Sequence, residues 1–367
     1  MDRRAFVRGV ATAIPIVTLP ALPGCVASGG SRFAGNVAHL PRVRVDESRL
    51  IRTAVGLRPY RDGGFVVRRD AFADTRLVHN YGHGGSGITL SWGTSKLAVD
   101  LGLAGHTGPV AVLGAGVIGL STARLAQEAG FAVTIYAASL PPETTSNIAG
   151  GQWHPFGHFR DSVVTDQWRE QFRAAADYSW RRFQIMVGAD YGVRWLTTYS
   201  EGEPERPLLS TFPPAQRALS SGEHPFAIEQ VFRFDTLYVE PGRYLRQLMR
   251  DVLQAGGRFE VRRFDGLPDI AALRERLVFN CTGLGARALF GDMELRPARG
   301  QLAILLPQPE VEYAYTFNAG YMFPRPDGIV LGGTFALDNW ALETDPRVTA
   351  RILASHRELR GDTPKEP

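Results

Sequence analysis

Cysteine is nearly absent: the 367 residues contain two, Cys25 and Cys281. Two thiols make no disulfide framework, so the chain must be held by its core, and an oxidising compartment is permitted but not required. A strong charge of one sign is also missing. The formal net charge is +4, and Arg3, Arg4 and Arg8 against Asp2 supply +2 of it within the first eight residues. The remainder gives no basis for nucleic-acid binding, and the high pI reflects arginine content. Nor is there an apolar run fit to span a bilayer near the start. The stretch from Gly9 to Gly24 is interrupted by Pro15, Pro20 and Pro23, too short and too broken for a stable membrane helix. Metal-ligand spacing is missing as well: His79 and His83 lie four apart, but in a glycine-rich loop rather than on a helix face, so structural roles and no metal are expected.

What is present is enough apolar residue, 44%, to bury two domains, with 40 glycines and 24 prolines implying many turns rather than a helical bundle. The N-terminus reads as an export leader over residues 1–30. Asp2-Arg3-Arg4-Ala5-Phe6-Val7-Arg8 is close to a twin-arginine pattern, and Leu22-Pro23-Gly24-Cys25 is similar to a lipoprotein cleavage site, Pro23 being its departure. The expectation is an exported, periplasmic or envelope-associated protein with a candidate lipid anchor at Cys25, or a cytoplasmic one if the leader is not processed.

The first chemical signal is a strand–turn–helix–strand unit. Pro109 to Leu113 is a continuous apolar run, as in a buried parallel strand. It enters Gly114-Ala115-Gly116-Val117-Ile118-Gly119, a helical pattern follows to a stop at Gly130, and Ala132 to Tyr136 forms a second strand. Gly114 makes the tight turn, Gly116 lets backbone approach a pyrophosphate, Gly119 packs helix on strand, and the helix N-terminus offers N–H groups and a positive dipole. The acidic residue that usually binds the adenosine ribose at the end of the second strand is replaced by Ala137-Ala138, leaving backbone groups or Ser139 for that task. No second glycine fingerprint is seen, which disfavours a nicotinamide-dependent reductase.

Further segments carry a family resemblance. The longest is Val78-His79-Asn80-Tyr81-Gly82-His83-Gly84-Gly85-Ser86-Gly87-Ile88-Thr89-Leu90-Ser91-Trp92-Gly93. With it go Gly56-Leu57-Arg58-Pro59, Thr144 to Trp153, Phe279 to Gly283, Arg299-Gly300-Gln301, and Leu331 to Phe335 with Asn339-Trp340. Together these resemble the D-amino-acid oxidase family, in permuted order. The segment that closes the family chain comes first here, joined to the glycine-loop unit through Gly102 to Gly108. The permutation requires the two ends of the body, near Val43 and Leu359, to lie close together.

The resemblance implies FAD and a small-molecule substrate. Arg58 would bind the substrate carboxylate through two parallel hydrogen bonds, and Tyr321 would support the same carboxylate. The carbonyl of Gly85 would accept from the amine. Gly84, Gly87, Ile88 and Thr89 would meet the flavin pyrimidine edge, and Thr144, Thr145, Ser146, Gly151 and Gln152 would form a second flavin-contacting loop. A further family tyrosine falls on Phe317, and His154 replaces a glutamine of the pocket. Cys281 is expected to be a buried strand residue, and Trp153 and Trp340 core or pocket walls. An acidic substrate would need an extra cation, for which Arg194 and Arg233 are candidates.

The expected fold is α/β: a Rossmann-like FAD-binding domain over 50–155 and 235–290, and a substrate domain with a mostly antiparallel sheet over 156–234 and 291–346. A helix is expected over 347–360 and a disordered tail over 361–367. A second helix, Arg243 to Gln254, should bury Leu245, Leu248, Met249, Val252 and Leu253. The implied reaction is oxidative deamination of a D-amino acid, with oxygen reoxidising the flavin. A dehydrogenase using another acceptor and a non-catalytic envelope-anchored binding protein are the alternatives.

Overall fold

The computed structural model describes residues 40–155 and 159–359. The chain divides into two units, Met1–Asn36 and Val37–Pro367, and the second is described here. The leader, Cys25 and the tail from 361 lie outside the described residues.

In chain order the elements begin with β1 (Leu50–Tyr60), β2 (Val66–Phe72), β3 (Thr75–Tyr81), α1 (Gly87–Leu103), β4 (Val110–Leu113), α2 (Val117–Glu128) and β5 (Val133–Ala137). Then come α3 (Asp166–Gln184), β6 (Val193–Glu201), β7 (Arg217–Leu219), β8 (Val231–Val239), α4 (Pro241–Gln254), β9 (Arg258–Val261), α5 (Leu267–Ala271), β10 (Leu277–Asn280) and α6 (Gly285–Phe290). The chain ends on β11 (Arg296–Leu305), β12 (Tyr313–Phe317), β13 (Gly320–Arg325), β14 (Gly328–Gly332), β15 (Ala336–Leu337) and α7 (Pro346–Glu358).

The smaller sheet runs β2-β3-β10-β4-β5-β9, parallel throughout except for the antiparallel β2-β3 pair. Alternation within β4 explains why the run reads as uniformly apolar. Val110 and Val112 enter the core formed with α1, α2 and α4, while Ala111 and Leu113 enter a second core with Phe264, Ile270 and Leu273. A parallel sheet covered on both faces leaves no side for polar residues. The helix α4 starts at Pro241, suited to a first turn whose N–H is unpaired, and buries Leu245, Leu248 and Val252. Leu253, expected on the buried face, is instead 53% exposed.

The larger sheet has the order β1-β11-β14-β13-β12-β6-β8-β7 with β15 also on β11, mostly antiparallel, β12-β6 being parallel. Its strand β1 comes from a segment grouped by sequence with the dinucleotide unit; it pairs with β11 in a register that sets Gly56 opposite Gly300 and Arg58 opposite Ala298. The strand β8 likewise lies wholly in this sheet although its second half was assigned to the other domain. One face of the sheet packs on α7, with Tyr315, Phe317, Met322 and Leu331 against Ile352 and Leu353. The other presents Leu302, Ala314 and Phe323.

The ends of the body meet. Val43 and Leu359 belong to one apolar cluster, and the Arg357 Nε donates to the carbonyl of Val45 at 3.0 Å. Between α1 and β4 the connection is short and open: Gly105 and Gly108 take φ of +65° and +98° with nothing within 4 Å of a Cβ position. Among the described residues no helix is long and apolar enough to cross a membrane.

Candidate active site

A cavity of ≈ 820 Å³ lies along the C-terminal edge of the parallel sheet and reaches the cavity-facing side of the larger sheet. Its first part is built by the glycine loop. Gly114 has φ +105°, and a Cβ there would stand 2.5 Å from the carbonyl oxygen of Cys281; a Cβ at Gly119 would stand 1.9 Å from the carbonyl oxygen of Gly114. The turn therefore closes only on glycine. Gly114, Ala115, Gly116, Val117 and Ile118 line the cavity, whereas Gly119 packs behind it. The N-terminus of α2 has no side-chain cap of its own. Ser146 reaches across instead, its Oγ accepting from Val117 N at 3.0 Å. This draws the loop bearing Thr144 and Thr145 over the glycine turn, and those two residues with Ser146, Gly151 and Gln152 also line the cavity.

A second helix N-terminus opens into the same space. The helix α1 begins at Gly87 without a side-chain cap, and Gly84, Gly85, Gly87, Ile88 and Thr89 line the cavity there. The Thr89 hydroxyl accepts from His154 N at 3.2 Å and lies 3.3 Å from His154 O, so it joins the two loops. The N-terminus of α1 and that of α2, where Ser146 takes the Val117 N–H, face one cavity and make a cradle for an anionic, hydrogen-bonding ligand.

At the larger sheet the cavity meets Arg58 and Tyr321. The Arg58 guanidinium lies flat on Gly300, where a Cβ would stand 2.3 Å from Nη1, and its stem passes 3.7 Å from the Cβ position of Gly85. Its hydrogen bond is to the carbonyl of Thr334, at 3.4 Å. Among the described residues no carboxylate pairs with it. Neighbouring Arg61, by contrast, is committed to Asp292 and Glu294 at 2.9 and 2.6 Å. Tyr321 stacks on Phe323, ring centres 4.6 Å apart, and occupies the space over Gly332, where a Cβ would stand 2.4 Å from its hydroxyl.

Several expectations need correction. Phe317 does not face the cavity; it packs against Phe226 and Tyr315 on the α7 side. Side chains alternate along β12, so Thr316 lines the cavity instead, and its Oγ1 is buried without a hydrogen-bond partner. Trp340 is 52% exposed and is neither core nor cavity wall; Trp153 is core, packed on Trp180 and Phe212. Neither Arg194 nor Arg233 lines this cavity.

His79 and His83 are buried and occupied, by Asn280 at 2.9 Å and by Thr94 at 2.9 Å. Cys281 is buried with its thiol pushed up to about 12 by desolvation, partly offset by Thr122, which leaves it inert as a nucleophile. Sequence reasoning missed Arg262, Arg263, Phe264 and Asp265, which line the cavity beyond Ala137 and Ser139. They follow β9, the strand beside β5, and the C-terminal edge of a parallel sheet is where such folds bind ligands. That position was the available signal.

A doubly covered parallel sheet with a glycine-loop cradle, opening onto a mostly antiparallel sheet that brings Arg58 to the same cavity, is the architecture of a dinucleotide-dependent oxidoreductase. The sequence model of the FAD dependent oxidoreductase (DAO) family matches residues 33–101 and 109–362, and the chain belongs to that family. It is 32% identical over 260 residues to a D-amino-acid oxidase of Streptomyces coelicolor, covering 69% of this chain and 78% of the relative. To the human D-aspartate oxidase it is 30% identical over 258 residues, covering 68% and 74%. Among solved structures, glycine oxidase from Geobacillus kaustophilus superposes with a TM-score of 0.54 at 17% identity, over 69% of this chain and 78% of that one. That likeness is one of fold. The cradle fits FAD: a Cβ at Gly114 or Gly119 would clash with backbone carbonyls, and the N-termini of α2 and α1 both face the cavity.

Proposed function

We propose that the protein oxidises D-amino acids to imino acids, which hydrolyse to keto acid and ammonia. Bound FAD supplies the two-electron acceptor for the hydride leaving the substrate Cα, and oxygen takes the pair to give hydrogen peroxide. The remaining work belongs to the chain. Arg58, which lies beside the glycine loop and pairs with no carboxylate among the described residues, carries the reading. Its guanidinium fixes the substrate carboxylate in position and rotation, and the Tyr321 hydroxyl donates to the same group. The Gly85 carbonyl accepts from the amine, and the N–H groups of Gly84, Gly87 and Ile88 with Thr89 hold the cofactor ring. Leu302, Phe323 and the β13 backbone exclude water. Curated relatives named as D-amino-acid and D-aspartate oxidases support the substrate class. The test is an anaerobic absorbance spectrum of the purified protein. Flavin bands should bleach with D- but not L-amino acids and return, with peroxide, when air is admitted; bands that never bleach would overturn the reading.

We also infer that the chain is a circular permutant of its relatives, joined at 104–109 and opened between α7 and β1. Support comes from the contact between Arg357 and Val45 and from a family match in two blocks that meet at this connection. The grouping of segments into a cofactor and a substrate domain belongs to the same reading. A separate proposal concerns residues 1–30. The Arg3-Arg4 pair and Cys25 favour export and lipid anchoring, so Arg3→Lys/Arg4→Lys should retain the protein in the cytoplasm, and Cys25→Ser should release it from the membrane fraction. Unchanged fractionation in both variants would remove this proposal.

A further inference from the structure

We propose that Arg262 holds the adenosine end of the cofactor, its guanidinium stacked between the adenine and the ring of Phe264, in place of the carboxylate that usually binds the ribose. The inference concerns how FAD is gripped and does not depend on the amino-acid substrate. At the end of β5, where an acid would accept from the ribose hydroxyls, stand Ala137 and Ala138. Neither side chain can form a hydrogen bond, so a neighbouring element must recognise the adenosine. That neighbour is the segment after β9. Arg262 N donates to the carbonyl of Ala137 at 2.9 Å, which carries the β5–β9 pairing past the strand and sets Arg262 beside the alanines. Ala137, Ala138, Ser139, Arg262 and Phe264 all line the cavity.

The Arg262 side chain is placed by contact. Its guanidinium carbon lies over the Phe264 ring, 4.9 Å from the centroid. Phe264 is itself fixed in the core with Ile270 and Leu273, and meets Tyr136 edge-on with ring centres 5.9 Å apart. A planar cation resting on one ring keeps its opposite face for a second. Glu143 and Asp265 line the same cavity, yet among the described residues neither pairs with Arg262. Position along the sheet separates base from phosphate. The glycine turn follows β4, and β5 and β9 are the next two strands. At about 4.8 Å per strand, the Arg262 backbone stands about 10 Å from the pyrophosphate cradle. That is the span of a ribose carrying its base rather than of a direct phosphate contact.

The experiment titrates the flavin-free full-length protein with FAD and with FMN, which lacks the adenosine, and follows flavin fluorescence. Wild type is compared with Arg262→Ala, Arg262→Lys and Glu143→Gln. Arg262→Ala should weaken FAD binding by about ten-fold, the size of one partly desolvated cation–π contact. FMN binding and the Tm of the flavin-free chain should stay as in wild type. Arg262→Lys keeps the charge without the plane and should recover little of the loss, and Glu143→Gln should bind FAD as wild type does. Equal losses for FAD and FMN in Arg262→Ala would put its role at the phosphate or in the fold, and overturn the proposal. An unchanged FAD affinity in Arg262→Ala overturns it too, as does full recovery in Arg262→Lys, where charge alone would suffice. A loss confined to Glu143→Gln would mean that a carboxylate from another loop still binds the ribose, which is the opposite result.

Discussion

Arg58 illustrates how one side chain is tuned by residues that never touch substrate. Its guanidinium rests on Gly300, and only glycine leaves that space, since a Cβ would intrude to 2.3 Å of Nη1. The carbonyl of Thr334 then takes one N–H, and the rest of the fork stays available. A lysine would keep the charge but lose the planar fork, so Arg58→Lys forfeits the second parallel bond as well as the fit over Gly300. Losing one hydrogen bond to a charged group costs about 1.5–3 kcal/mol. The expected loss in kcat/KM on a D-amino acid is therefore about 10-fold to 150-fold, with flavin content unchanged, measured by steady-state kinetics and the flavin spectrum. The same scale shows what a sequence hides. Arg58 was legible because its neighbours Gly-Leu-Arg-Pro are distinctive. Thr316 and Phe317 were not, because a strand turns alternate residues to opposite faces and a shift of one position exchanges cavity for core.

Among elements, the glycine turn between β4 and α2 has the least tolerance. Gly114→Ala would place a methyl 2.5 Å from the Cys281 carbonyl at a φ of +105°, where L residues are strained by about 1–3 kcal/mol. The variant should purify with substoichiometric FAD and a lowered Tm, read by the ratio of flavin to protein absorbance and by thermal melting. This turn was fully legible in sequence, since its strand, loop and helix are contiguous. The pairing of β1 with β11 was not, because the partners are more than two hundred residues apart and nothing local specifies the register. The helix α7 gives a different prediction. Its His356 is buried; Nε2–H donates to the carbonyl of Gly332 at 3.2 Å, and Nδ1 accepts from the Tyr315 hydroxyl at 2.7 Å. Burial lowers its pKa from 6.5 to about 4, so the unfolded chain binds the proton first. Stability is then whole above pH 6.5 and falls as pH drops from 6.5 toward 4, with a slope approaching about 1.4 kcal/mol per unit from this group. His79 and His224 are shifted in the same direction, again chiefly by burial. Denaturation series at pH 7, 6 and 5 should give a shallower dependence for His356→Gln than for the wild type; equal slopes would show that His356 does not titrate on unfolding.

At the scale of the whole molecule the question is whether the order of segments matters to the fold. The contacts that close the structure do not follow chain order: β3 pairs with β10, and β1 with β11, whichever segment is made first. Chain order matters only at the joints. One joint, between α1 and β4, is an exposed connection with open space beside its glycines, and a cut there costs little more than the stacking of His106 on Phe131. The other ends, at Val45 and Arg357, are already in hydrogen-bond contact, so a short linker can bridge them without strain. A rearranged chain running from 109 through 359, a brief glycine–serine linker, and then 43 through 104 should fold, retain FAD and oxidise the same substrates. Its loop-closure entropy changes little because closure cost rises only as the logarithm of loop length, about 0.6 kcal/mol per doubling. The Tm should therefore stay within a few degrees of the wild type, a shift of about 4 °C or less corresponding to about 1–2 kcal/mol in a chain of this size. Folding rate is the quantity expected to move, since joining the ends brings α7 and β1 close in sequence and lowers their contact separation. A soluble chain with full flavin content and altered refolding kinetics would mark the present order as one of two that the fold accepts. Loss of flavin binding in the rearranged chain, with the linker varied in length, would mean that the present order is required and would overturn the permutation reading.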